Sequence, residues 1–271
     1  YTARGTFNSY KAGYTEGKYY ANQADWYQWL CYAFGKDVDG GDLSYAGNDI
    51  INLEALEEAT RIAKQTLNDP DYKVGVKLVL YPAVEYQEDW GYIDGQHIDF
   101  TISGCGSQEK ALANRAKAYQ WYVDQAVAMW EEAGFEHLEL TGFYYYEETI
   151  HESTDRIAKA ATQALTDIIH THATPTTNTK PAFDSRVGGR LYIYQLPFYQ
   201  SEGYWNWKEY GFDYALMQPN YSFYDMYTLT QLKECADLCT YYGLGMQMEF
   251  GGTASTAYHK KFEDYLNYGK E

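Results

Sequence analysis

Three short runs place carboxylates and amides inside aromatic sequence: Tyr144-Tyr145-Tyr146-Glu147-Glu148, Met217-Gln218-Pro219-Asn220-Tyr221 and Gln247-Met248-Glu249-Phe250-Gly251-Gly252. A carboxylate among aromatic residues is costly unless it is paired or used. Two such groups flanking a sugar ring supply what glycoside hydrolysis needs. One protonates the leaving oxygen; the other attacks the ring carbon or activates water. Aromatic packing desolvates the acid and keeps its proton at working pH. Glu249 is the cleaner candidate, because alternation puts it on the face of polar Gln247. Its partner is Glu148, with Glu147 as substitute. Alternation groups Glu148 with Tyr144 and Tyr146, and Glu147 with Phe143 and Tyr145. The competing role for each acid is a solvated charge at the start of the following helix. Glu148 as acid/base and Glu249 as nucleophile describe a retaining mechanism. Retention expects carboxyl groups about 5–5.5 Å apart, and inversion about 6.5–9.5 Å.

Other residues fit binding better than proton transfer. The amides of Gln218, Asn220 and Gln247 offer both a donor and an acceptor to vicinal hydroxyls. Tyr81, Tyr144, Tyr146 and Tyr221 stand at strand ends, and Tyr199, Tyr204, Trp205 and Trp207 follow another strand. Trp205 and Trp207 suit a sugar-stacking platform and suit packing beneath a short helix equally well. The chain holds 31 Tyr, 7 Trp and 11 Phe, more phenols than a core needs given that each buried hydroxyl wants a partner. That excess favours a carbohydrate partner.

Composition narrows the classes further. With 21 Lys and Arg against 38 Asp and Glu, the formal charge of the 271 residues is −17. Nucleic acid and anionic membrane surfaces need clustered cations and are not expected partners. No apolar run approaches the roughly 20 residues of a spanning helix. No cofactor is expected, since no Gly-rich phosphate loop, dinucleotide fingerprint or GxSxG is present. No metal is expected either. Asp37-Val38-Asp39-Gly40-Gly41-Asp42 lacks the spacing and terminal Glu of a calcium loop, and His170-x-His172 lacks a third ligand. The four cysteines form no CxxC pair. Cys235 and Cys239 share a helix face with side chains directed along it rather than at each other.

These residues need elements to hold them. Apolar spacing gives a helix over Trp26 to Phe34 with Asp25 as N-cap, and another from Leu53 to Leu67. The longest runs from Ser107 to a Gly134 C-cap. Others cover Asp155 to His170, Trp205 to Tyr210, Thr230 to Tyr241 and Ala257 to Tyr268. β-rich runs mark strands at 74–81, 138–146, 191–197, 212–219 and 244–250. Residues Glu85 to Gly106 read as a long functional or lid loop, and a Thr/Pro-rich loop leads to Arg190. Strands alternating with helices mean a parallel sheet. The expected fold class is α/β, a single TIM-like (β/α)8 barrel domain of which residues 1–271 cover about five clear βα units. A doubly wound open sheet is the alternative. It is less favoured because no phosphate loop follows a strand.

The stretch Asn22-Gln23-Ala24-Asp25-Trp26-Tyr27-Gln28-Trp29-Leu30 and the run Gly142 to Glu148 resemble a bacterial domain-of-unknown-function group (four-eight-five-five). The resemblance strengthens over Tyr210 to Tyr221 and Tyr242 to Phe250, and it spans nearly the whole chain. It implies a glycosidase-like barrel of an exported, often multidomain protein. It also implies two strands before residue 1 and one after Glu271, with further domains or segments beyond. The loop between His170 and Arg190 is longer than the family pattern, which alters one rim of a cleft. The lack of an initiator Met and leader is expected of a processed form or fragment. The expected function is a secreted or cell-surface glycoside hydrolase. The alternatives are a noncatalytic glycan-binding barrel and a surface-assembly protein that packs through its tyrosines.

Overall fold

The computed structural model describes residues 21–36, 52–173, 189–250 and 256–268. The acidic turn at Asp37 to Asp42 and most of the Thr/Pro-rich loop lie outside the described residues. Helices α1 (Gln23–Ala33) and α2 (Leu53–Leu67) precede strand β1 (Val74–Leu80). Strands β2 (Gly91–Ile93) and β3 (Gln96–Ile98) come next, then the short α3 (Ile102–Cys105) and the 26-residue α4 (Gln108–Ala133). The order continues with β4 (Leu138–Tyr145), α5 (Ala158–His170), β5 (Tyr192–Gln195) and β6 (Tyr214–Met217). It ends with α6 (Leu229–Tyr242), β7 (Gly245–Met246) and α7 (Thr256–Tyr268).

Five strands form a sheet in the order β1-β4-β5-β6-β7. β5 and β6 pair in parallel with Tyr194 opposite Tyr214, and β6 and β7 with Met217 opposite Met246. The molecule is therefore an α/β protein with a parallel five-stranded sheet. The order never reverses, so it lacks the switch point of a doubly wound fold. No closed barrel is present among the described residues.

Local chemistry explains the element ends and corrects three expectations. Asn22, not Asp25, caps α1. Its Oδ1 accepts the Asp25 N–H at 3.1 Å while Asp25 Oδ2 accepts the Asn22 N–H at 3.0 Å, a reciprocal capping box. Residues 85–106 are not one long loop, because Asp94 and Gly95 both take positive φ and turn β2 into β3 as a hairpin. Third, β7 pairs over two residues only, so alternation does not reach Glu249. The long helix behaves as its sequence dictates, with Ser107 capping its start and Gly134 in the left-handed region at its end.

The chain divides into two compact units, Tyr1–Phe143 with Ala160–Tyr192 and Tyr144–Lys159 with Ile193–Glu271. The first is packed around Trp26, which stacks on Tyr119 at 6.0 Å and meets Trp90 and Tyr122 edge-on. Its buried phenols find backbone partners: Tyr122 donates to the Val79 carbonyl at 2.6 Å, and Tyr119 accepts the Ala83 N–H at 2.8 Å. Much of the aromatic surplus in this unit is thus core. The second unit holds β5 to β7 with α6 and α7, and its buried cluster of Tyr221, Leu232 and Tyr265 lies beside the strand ends.

Candidate functional site

Nearly all the residues singled out from sequence fall in the second unit. Glu249 follows β7 and is 2% exposed. Its Oε1 accepts the Asn220 N–H at 2.9 Å, and its Oε2 accepts the Tyr265 hydroxyl at 2.6 Å. Asn220 sits in the left-handed region at φ 59°, a conformation Asn tolerates better than most residues, and this aims its N–H at the carboxylate. Burial pushes the Glu249 carboxyl above its ordinary pKa. The Tyr265 hydroxyl and the backbone hydrogen bonds of Asn220 and Ser222 oppose that rise, and the charge of Glu148 adds to it.

Glu148 lies past the end of β4 and is exposed, so aromatic packing does not desolvate it as expected of the acid, whereas Glu147 is half-buried with its carboxylate 3.6 Å from His151 Nε2. Because β4 ends at Tyr145, the alternation invoked to separate the two acids stops before either. Tyr144 links them to the sheet. Its phenol is pushed up first by burial, then by the Glu148 charge, with Tyr194, Tyr146 and Glu147 adding to the rise.

Tyr144 is not an open stacking platform. Its ring stacks on Tyr194 at 5.1 Å, and Tyr194 stacks on Tyr214 at 4.9 Å, so three tyrosines climb across β4, β5 and β6 at strand spacing. Tyr146, 49% exposed, stands edge-on to Tyr144 at 6.3 Å. Trp205 is 44% exposed, while Trp207 is buried with its indole N–H on the Tyr242 carbonyl at 3.0 Å. Of the two roles left open, packing therefore falls to Trp207, and Trp205 remains exposed.

The remaining binding candidates are mostly tied down. Tyr199 is buried and donates to Glu234 Oε2 at 2.7 Å, and burial with this bond pushes its pKa up to about 12. Tyr221 donates to Asp264 Oδ2 at 2.8 Å and is likewise pushed up to about 12 by burial and that partner. Gln218 spends its amide N–H on the Leu196 carbonyl at 2.9 Å. Gln247 keeps a buried Oε1 with no hydrogen-bond partner, an acceptor left open beside Glu249 in sequence. Tyr81 belongs to the first unit, where it meets Trp29 edge-on at 5.6 Å.

Tyr265 was missed from sequence. Lys261, Asp264, Tyr265 and Tyr268 recur at i, i+3, i+4 and i+7 on α7, a visible helical face, but spacing does not say that this face meets a carboxylate. His172 has both ring nitrogens engaged, Nδ1 at 2.9 Å from the Ile168 carbonyl and Nε2 at 3.1 Å from Asp124. Among the described residues no group of three or more His, Cys, Asp and Glu is arranged to hold a metal. All four cysteines are free thiols. Cys235 and Cys239 are both buried on α6, and the Cys239 thiol reaches the Gly245 carbonyl oxygen at 3.5 Å. No described helix is long and apolar enough to cross a membrane.

No curated protein and no solved structure matches the chain significantly. A family model does match, over residues 14–271, and bears out the resemblance carried by the aromatic and carboxylate motifs. The chain belongs to the family described as a domain of unknown function, DUF4855.

Proposed function

We propose that the second unit carries the two-carboxylate site of a glycoside hydrolase acting on a polysaccharide or glycan. The supporting observation is geometric: past β7, Glu249 is buried with a donor on each carboxylate oxygen, and in the same unit Glu148 stands exposed past the end of β4. Donors face both Glu249 oxygens, an arrangement that suits an ionised nucleophile, and its raised pKa makes that carboxylate more basic. Glu148 is exposed and can exchange a proton with water, as an acid/base residue must each cycle. Tyr146 and Trp205, 49% and 44% exposed, are aromatic side chains that sugar units could reach. The finer fold reading, an arc of a (β/α)8 barrel, is supported by a strand order without reversal. Secretion or display at the cell surface fits this substrate class.

The test is release of reducing ends from a panel of polysaccharides. Glu249→Gln and Glu148→Gln are each expected to lower turnover at least a hundredfold, the scale of a lost acid–base or covalent group, with the fold retained by circular dichroism. Undiminished activity in Glu249→Gln would remove the assignment. The near-complete burial of Glu249 favours a second reading, a noncatalytic glycan-binding domain in which this carboxylate only anchors the Asn220 turn. That reading expects a sugar-dependent change in Trp fluorescence and no reducing ends from the native protein.

A further inference from the structure

The loop between β6 and α6 holds an exposed apolar face on a pinned frame. Phe223, Tyr224 and Met226 are 49%, 55% and 75% exposed. The residues around them are tied down. Asn220 donates to Glu249, Tyr221 donates to Asp264, and Ser222 is buried. The Phe223 and Tyr224 N–H groups both donate to the Asn220 carbonyl at 3.2 Å. Tyr227 lies edge-on to Tyr199 at 6.2 Å, and Asp225 pairs with Lys261 at 3.1 Å. Side chains on so fixed a frame lose little further order when covered.

Resting on the glycan reading above, we propose that Phe223, Tyr224 and Met226 form an outer contact face for a glycan chain without acidic groups, engaging units beyond the reacting bond. Continuity argues for this occupant, since Asn220 of the same loop holds Glu249. Aromatic and thioether groups suit the C–H faces of sugar rings and need no charge on the partner. Charge selects among glycans. Asp225 stands fully exposed between Tyr224 and Met226, and the cation at hand, Lys261, is already shared between Asp225 and the Tyr221 ring. A uronate- or sulfate-bearing chain would meet like charge here.

The test compares the native protein, Glu249→Gln and the triple variant Phe223→Ser, Tyr224→Ser, Met226→Ser by affinity electrophoresis. The gels contain xylan, glucomannan, mixed-linkage β-glucan, polygalacturonate or a sulfated galactan. At least one of the three neutral polymers is expected to retard both the native protein and Glu249→Gln. The triple variant should bind that polymer about tenfold more weakly, or about 1.4 kcal/mol. Met226→Ser alone, at the most exposed position, should show part of the loss and guards against a folding defect. Equal retardation of the triple variant overturns the proposal. So does preference for an acidic polymer, retardation by none, or a loop variant that alters only oligomeric state in gel filtration. Binding that needs the loop while the native protein releases no reducing ends sustains the face and removes hydrolysis. Release with an unchanged KM in the triple variant removes the face and leaves the hydrolysis reading in place.

Discussion

At the scale of single residues, Glu249 and Tyr265 are the informative pair. A carboxyl pKa raised by folding means that the native state holds the proton more tightly than the unfolded chain does. Its contribution to stability is complete below the unfolded value of 4.5 and is lost as pH rises through the folded value. Tyr265→Phe removes the donor to Oε2, one of the influences that lowers this pKa, so the loss should extend to higher pH. An unsatisfied buried oxygen costs about 1–3 kcal/mol. Urea denaturation of both proteins from about pH 4 to 8 should show the gap widening with pH. A gap that is constant with pH would mean that Tyr265 acts through packing alone. The sequence marked Glu249 because its aromatic setting made a free carboxylate implausible. It did not mark Tyr265, whose partner lies sixteen residues away in the chain.

At the scale of elements, caps and turns were legible wherever the signal is local. Ser107 and Gly134 bound α4 through side-chain and left-handed backbone chemistry that one turn of sequence contains. The Asp94-Gly95 hairpin was equally legible and was passed over inside a stretch read as a loop. Close approach is less visible. A Cβ on Gly142 in β4 would lie 2.0 Å from the Tyr192 carbonyl oxygen, so backbone must shift to accept any side chain. Gly142→Ala is expected to cost at least about 1–3 kcal/mol, as overpacking does, and chemical denaturation measures it. Full stability in that variant would show that β4 yields freely at this point.

At the scale of the whole molecule, a charge of −17 repels itself, and salt should relieve that repulsion. The melting temperature is expected to rise between about 10 mM and 150 mM sodium chloride, where the screening length falls to about 8 Å. A melting temperature that falls with salt would mean that attractive ion pairs dominate instead. The sequence by itself determined the alternation of strands and helices, the family, the acidic surface and the aromatic runs that frame Glu148 and Glu249. These follow from periodicity, composition and residue type, which are local properties of the chain. Tertiary structure alone decided that Tyr144 is buried against Tyr194 while Tyr146 is half exposed, and that Trp205 is exposed while Trp207 is buried. It also decided that β7 releases Glu249 to the Asn220 N–H and the Tyr265 hydroxyl. Whether an aromatic face or a carboxylate oxygen is covered depends on a neighbour distant in sequence, and the pattern of one segment carries no record of which neighbour that is.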